Sequence, residues 1–223
     1  MNPLSSPRYF SVAGIIGAGK TNLSHTLSRY LNAFLIEEPV KSNPYLGIFY
    51  EDMKNGKCLE TRSAIIMQFY LLNVRYKKHL QAIHTSYEQN VIADRSIFED
   101  MIFVKILHEQ GHISDLDFQC YHECYSALKE HLKYPIFIFI DISVEDAMKN
   151  IEKRARKEEK SKIPREYMEK LNGEYQIFKA VMENNSIVLT IPFENVFFPE
   201  KIVEEIVELD KKLTWQDTLY RKI

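Results

Sequence analysis

Gly14-Ile15-Ile16-Gly17-Ala18-Gly19-Lys20-Thr21 satisfies the spacing GxxxxGK[ST], and the chemistry such a run supports is the holding of phosphate. Its glycines let backbone N–H groups turn inward around anionic oxygens. A helix starting at the lysine adds a partial positive charge, Lys20 adds a full one, and the Thr21 hydroxyl can ligate Mg²⁺. A glycine-rich turn with no ligand would leave the lysine unexplained, so a nucleotide phosphate is expected here. Two acidic groups stand at comparable places. Glu37-Glu38 follows the apolar run Ala33 to Ile36, and Asp94-Arg95 follows Val91 to Ala93. An acid at such a strand end can meet Mg²⁺ or its waters. A guanidinium there can bridge a migrating phosphoryl group and Glu38 with fixed, planar donors. The plainer reading of Asp94-Arg95 is a buried ion pair that pins a loop. Gln68 and Arg75, if helical, lie two turns apart, ~10.5 Å along one face, and can line one wall of a cleft; otherwise they are an ordinary polar stripe. Lys153 to Lys162, KRARKEEKSK, reads either as a solvated helix end or as a short lid over an anionic ligand.

These residues need a scaffold that gathers strand ends. Apolar runs rich in β-branched and aromatic residues alternate with longer segments of helical period, the pattern of a parallel sheet covered by helices on both faces. Five strands are predicted: Tyr9 to Ala13, Ala33 to Ile36, Val91 to Ala93, Ile136 to Ile140 and Ser186 to Ile191. Helices are predicted near Lys20 to Leu31, Thr61 to Tyr87, Phe98 to Glu109, Leu116 to His131, Val144 to Lys153, Arg165 to Asn184 and Glu200 to Leu213. In an open sheet of this kind ligands bind beyond the carboxyl ends of the strands, where the loop, Glu38 and Asp94-Arg95 all fall. Asp141 follows a strand too, but Ser143, Glu145 and Asp146 beside it look like the cap and first turn of a helix. No Pro/Gly/Ser-rich linker or repeat divides the chain, so residues 1–223 are read as one α/β domain.

The chain has 223 residues, 45% hydrophobic and 27% charged, the balance of a folded globule. Lys plus Arg (29) nearly matches Asp plus Glu (31), so no basic excess points to nucleic acid as a partner. Cys58, Cys120 and Cys124 form no CxxC pair and read as reduced thiols of a cytoplasmic protein. Cys120, His122 and Cys124 lack the two spaced pairs of a metal site. The start MNPLSSPRYF has no charged-then-apolar signal pattern, and Ile136 to Ile140 is far short of a ~20-residue membrane span.

In chain order stand the phosphate loop, Glu37-Glu38-Pro39-Val40, Asn43-Pro44-Tyr45-Leu46 and Phe49-Tyr50-Glu51-Asp52. There follow Gln68-Phe69-Tyr70 with Arg75, Asp94-Arg95-Ser96 with Glu99-Asp100, and Arg154-Ala155-Arg156-Lys157-Glu158-Glu159. Together they resemble the deoxyribonucleoside kinase family, particularly its bacterial deoxyadenosine/deoxyguanosine kinase branch, from about Phe10 to Ile191. The resemblance implies a P-loop NTPase-type three-layer sandwich. It implies Mg²⁺-dependent transfer of a phosphoryl group from ATP to the 5′-hydroxyl of a deoxyribonucleoside, purine first and deoxycytidine second. Glu38, favoured over Glu37 by the Pro39 match, becomes the carboxylate beside the 5′-hydroxyl, with Lys20 and Arg95 as catalytic cations. Thr21 and Asp94 become the metal-side residues, and Gly14, Gly17, Ala18 and Gly19 the phosphate cradle. Gln68, Arg75 and Asp100 read the base. Tyr50 and one of Glu158 or Glu159 hold the sugar 3′-hydroxyl, the tyrosine ring crowding the place of a 2′-hydroxyl. Arg154 and Arg156 become lid arginines on the β- and γ-phosphates, Glu194-Asn195 falls where the adenine of ATP is held, and a homodimer packs through helices spanning Phe98 to His131. Thymidine-favouring relatives tend to carry a smaller apolar residue at the Arg75 position, which argues against thymidine.

Two departures concern the base pocket. Extra residues, MKNGKCL, separate Tyr50 from Gln68, and the tryptophan usual in the first segment is absent, Trp215 being the only one. Two rival readings stay open. A nucleoside monophosphate kinase would hold an acceptor phosphate with Arg75 and Arg62, and a silent nucleotide-binding subunit of the same fold would turn nothing over.

Overall fold

The computed structural model of the chain describes residues 3–38, 43–154 and 163–213. Five strands form one sheet: β1 (Tyr9–Ala13), β2 (Phe34–Ile36), β3 (Val91–Asp94), β4 (Ile136–Asp141) and β5 (Val188–Pro192). All pair in parallel in the order β2-β3-β1-β4-β5. The inner strands are apolar on both faces because both faces are covered; Val12, Ile92 and Ile138 have no solvent exposure. The chain passes from β1 to the far edge at β2, returns through β3, then crosses β1 to β4 and β5. Since β-α-β crossovers are right-handed, this reversal puts α1 (Lys20–Tyr30) on one face. The connecting helices α4 (Ser63–Thr85), α5 (Asp100–Glu109), α6 (Asp115–Lys129), α7 (Val144–Arg154) and α8 (Arg165–Asn185) fall on the other. The closing helix α9 (Pro199–Lys212) packs on α1. The result is a three-layer α/β sandwich whose direction reverses at β1, and that reversal opens the crevice in which such sheets bind ligands.

Every strand expected from the sequence forms, with shifts of one or two residues. Asp94 is drawn into β3 by pairing with Val12, and Asp141 into β4 by pairing with Pro192. Ser186 stays outside β5 because its hydroxyl donates to Pro135 O at 2.6 Å, tying the strand entry to the neighbouring loop. Two helices were not expected: α2 (Leu46–Lys54) and the single turn α3 (Cys58–Thr61). α2 buries only Phe49, too little for its period to stand out. MKNGKCL closes α2, turns at Gly56 with φ 68° and enters α3. Thr61 Oγ1 donates to Asp52 Oδ2 at 2.7 Å and fastens that turn back on α2. Among the described residues no helix is long and apolar enough to cross a membrane. Cys58 is a buried free thiol, and Cys120 and Cys124 are exposed ones.

Candidate active site

The phosphate loop leaves β1 at Gly14 and enters α1 at Lys20. Gly14, Gly17 and Gly19 have φ of 144°, 84° and 86°, values that a Cβ-bearing residue adopts only at a cost. At Gly17 the requirement is also steric, since a Cβ there would stand 2.3 Å from Ala147 O. α7 therefore lies against the loop, and Asn150 Nδ2 donates to Gly17 O at 2.9 Å. Ala18 is fully buried beneath the turn. Lys20 Nζ donates back to Gly14 O at 2.8 Å and Ile15 O at 2.7 Å, so the ammonium is already folded into the cradle. Burial, with a contribution from Arg95, pulls the Lys20 ammonium down to about 7 despite Asp94, Glu38 and Glu99 nearby.

Thr21 Oγ1 donates to Asp94 Oδ2 at 2.6 Å and joins the first turn of α1 to the end of β3. Asp94 Oδ1 is buried and has no hydrogen-bond partner. The Thr21 hydroxyl and the Asp94 carboxylate, with its orphaned Oδ1, are hard oxygen donors that suit Mg²⁺ beside a phosphate chain. Among the described residues no group of three or more His, Cys, Asp or Glu side chains could hold a metal ion by itself, so such an ion would rely on phosphate and water for its remaining ligands.

Glu38 lies just past β2 and meets two guanidiniums. Arg75 Nη2 donates to its Oε1 at 2.7 Å, and Arg95 Nε forms an ion pair with the same oxygen at 3.0 Å. Burial alone would raise the Glu38 carboxyl, but Arg95, Arg75 and Lys20 outweigh it and hold it down at about 2. Arg75 also pairs with Asp100 through Nη1, as Gln68 and Arg75 rise from the buried side of α4. Asp100 has no solvent exposure, and burial pushes it up to about 6 even with Arg75 beside it. Gln68 Oε1, Arg75 Nε and Asp100 Oδ2 are all buried without hydrogen-bond partners. Unmet donors and acceptors along one wall are what a site built for a hydrogen-bonding ligand edge presents.

Arg95 links the two halves. Its Nη1 reaches Gly14 O at 3.4 Å, within the phosphate loop, while its Nε faces Glu38. The residue has φ 71°, a left-handed conformation that sends the side chain back across the sheet edge. Its backbone N–H donates to Val12 O at 3.1 Å, and its guanidinium carbon lies 5.1 Å from the centre of the Phe103 ring. Two more contacts were not anticipated. Nη1 donates to Glu99 Oε1 at 3.2 Å and to the Tyr175 hydroxyl. Glu99 carries a readable local signal, the capping box Ser96-Ile-Phe-Glu99. Tyr175 carries none, because it arrives from α8.

The remaining expected residues fall around this centre. Tyr50 is on α2, partly buried against the hydrophobic core. Glu194 and Asn195 occupy a 3₁₀ turn, Phe193–Phe197, directly after β5. Val196 in that turn comes within 3.8 Å of where a Cβ on Gly19 would be, so the turn flanks the phosphate loop. Arg154 ends α7, the helix resting on Gly17. Arg156, Glu158 and Glu159 lie outside the described residues, as does most of the expected lid. Arg62 pairs with Asp117 of α6, so both arginines that could receive an acceptor phosphate are already matched by carboxylates. His79 is buried away from the centre between the Tyr9 hydroxyl and Lys133 O, and burial pulls it down to about 4.

Comparison with known proteins gives the family and the fold. A family model described as deoxynucleoside kinase matches residues 10–214. The deoxyadenosine kinase of Dictyostelium discoideum is 31% identical over 199 residues, 89% of this chain and 77% of that protein. The deoxyguanosine kinase of the same organism is 32% identical over 197 residues, 86% of this chain and 66% of that protein. Among solved structures, deoxyadenosine kinase from M. mycoides with dCMP and a flexible dCDP bound superposes with a TM-score of 0.77 at 28% identity, covering 90% of this chain and 99% of that one.

Proposed function

We propose, starting from a chain that belongs to the deoxynucleoside kinase family, that it transfers the γ-phosphoryl group of ATP to the 5′-hydroxyl of a purine deoxyribonucleoside. Deoxycytidine is the second acceptor in this reading, as a relative named for deoxyadenosine also holds dCMP. The observation that carries it is Arg95, which touches the phosphate loop at Gly14 O and Glu38 with the same guanidinium. A donor phosphate gripped at Lys20 and an acceptor alcohol beside Glu38 would then meet across one side chain. In-line transfer needs little more than such positioning and charge neutralisation.

The roles follow from the contacts. The loop amides and Lys20 bind and orient the donor phosphates. Thr21 and Asp94 would hold Mg²⁺, which would supply charge neutralisation to the donor phosphates. Glu38 accepts the hydrogen bond of the 5′-hydroxyl, fixes its lone pair towards phosphorus and receives its proton late, as the new O–P bond forms and the bond to the ADP leaving group breaks. Arg95 neutralises charge on the migrating group. Gln68, Arg75 and Asp100 read the base edge, Tyr50 with Glu158 or Glu159 the sugar, Glu194 and Asn195 flank the donor base, and Arg154 and Arg156 close over the phosphates. The working unit in this reading is one domain with its lid at about residues 153–162. It is a cytoplasmic homodimer, supported by the free thiols and by a groove between α5, α6 and α8 whose wall includes exposed Ile177 and Val181.

A panel of dAdo, dGuo, dCyd, dThd, dAMP and dTMP, each with ATP or GTP, tests the reading. Purine deoxynucleosides should give the highest kcat/KM and the monophosphates none; turnover of dAMP or dTMP alone would replace it with a monophosphate kinase. Lys20 supplies a second test. Its free-protein value of about 7 lies below the ordinary 10.5, and contact with a triphosphate restores the charged form. Nucleotide binding at pH 8 should therefore take up a proton, and affinity should fall as pH rises above 7. Calorimetry in two buffers of different ionisation enthalpy reads this directly, and identical heats in both would remove Lys20 as the group responsible.

A further inference from the structure

We propose that Glu99 and Tyr175 are positioning residues for Arg95, forming a bracket that aims its guanidinium at the place where the phosphoryl group crosses to the acceptor. The proposal rests on the assignment of Arg95 to phosphoryl transfer made above. Arg95 leaves β3 in a left-handed conformation at φ 71°, which is strained for a residue with a Cβ. Such a backbone turn sets where the side chain starts but not where its long, flexible stem ends. The far end is fixed instead by partners on one edge of the guanidinium. Nη1 donates to Glu99 Oε1 at 3.2 Å and to the Tyr175 hydroxyl, and that hydroxyl donates onward to Glu99 Oε1 at 2.8 Å.

The bracket is itself held on both sides. Glu99 Oε2 accepts from Ser96 N at 2.9 Å in a capping box, so the carboxylate cannot rotate away. Tyr175 is fully buried, its ring lying edge-on to Phe103 and Phe178 at centroid distances of 6.4 and 6.1 Å. With Nη1 taken by the bracket, Nε is turned towards Glu38 at 3.0 Å. A buried ion pair that served stability alone would have no reason to share the guanidinium that touches both the phosphate loop and Glu38. The hydroxyl of Tyr175 shares both Nη1 and Glu99 Oε1, and so competes with their direct contact at 3.2 Å. Without it, the guanidinium is free to swing towards that carboxylate and away from the reaction path.

Tyr175→Phe removes one oxygen and keeps the ring packing, so the fold should survive. With the best deoxynucleoside from the panel, kcat should fall by about tenfold to a hundredfold, the range expected for a misaimed catalytic group. KM for nucleoside and ATP should stay within about threefold and the melting temperature within a few degrees. The decisive measurement is a double-mutant cycle. If Tyr175 acts through Arg95, Tyr175→Phe should cost nothing further in an Arg95→Lys background, whereas independent sites add. Glu99→Gln, which keeps the capping geometry, should give the same pattern. An unchanged kcat in both single variants, losses that add in the cycle, or a fall in kcat tracked by lost thermal stability would each overturn the bracket while leaving the kinase reading intact. A wild-type chain that phosphorylates no member of the panel would instead remove the kinase reading and the bracket with it.

Discussion

Glu38→Gln should lower kcat by about 10²- to 10³-fold, the usual worth of one preorganised group that orients a reactant and balances charge, while nucleotide affinity changes little. The substitution keeps the shape and one acceptor oxygen but removes the charge that Arg75 and Arg95 share at 2.7 and 3.0 Å. Both guanidiniums keep a carboxylate, Asp100 for Arg75 and Glu99 for Arg95, so neither becomes an uncompensated buried charge and the fold should hold. The proposed donor site, the loop amides and Lys20, lies across Arg95 from Glu38, and its hydrogen-bonding groups are kept in the variant. A carboxylate held at about 2 is a feeble base, so the loss reports mainly on orientation of the 5′-hydroxyl and on the balance of charge around it. The same depression has a consequence for acid stability. Its folded value lies below the ordinary 4.5, so the stabilisation it carries is complete above pH 4.5 and is lost as pH falls towards 2. The Gln variant should lack that component of acid unfolding. Single-turnover kinetics with fluorescent nucleotide titration measure rate and binding separately, and an unchanged rate would take Glu38 out of the chemistry.

How much of this was legible depends on whether the signal is local. β1 and β4 could be read to within a residue because Tyr9–Ala13 and Ile136–Asp141 are runs that bury both faces. The phosphate loop was legible because its glycines and lysine are contiguous and each has its own backbone reason. Glu38 and Asp94-Arg95 were legible because each immediately follows a strand, and parallel strands deliver their ends to one edge. α2 was not, since one buried phenylalanine leaves almost no periodic trace. Tyr175 was not, since its role exists only through the hydroxyl it offers Arg95 and Glu99 across the sheet edge. The plainer reading of Asp94-Arg95 as a buried pair holds only for burial: Asp94 accepts from Thr21, and the pairs of Arg95 are with Glu38 and Glu99.

Arg75→Met should shift base preference towards thymidine and should also cost stability, and the two effects separate by design. Arg75 pairs with Asp100, which has no solvent exposure and whose Oδ2 already lacks a partner. Removing the cation leaves a buried carboxyl that burial has pushed up to about 6 even with Arg75 present. It should therefore take a proton at neutral pH, with a loss of about 3–5 kcal/mol, the cost of breaking one side of a buried pair. The double variant Arg75→Met, Asp100→Asn should recover much of that loss, because an amide is neutral in that buried place without having to take up a proton. On specificity, a site that offers guanidinium donors to a base edge discriminates through the groups it would leave unpaired, and methionine offers none while adding a surface for a 5-methyl group. Arg75 also touches Glu38, so kcat will fall for every nucleoside; that loss is common to all acceptors and cancels in ratios of kcat/KM. The ratio of dThd to dAdo should rise by at least about a hundredfold. If stability falls as expected but the ratios between bases do not move, Arg75 holds Asp100 and Glu38 in place without reading the base, and Gln68 with its unpaired oxygen becomes the residue that does.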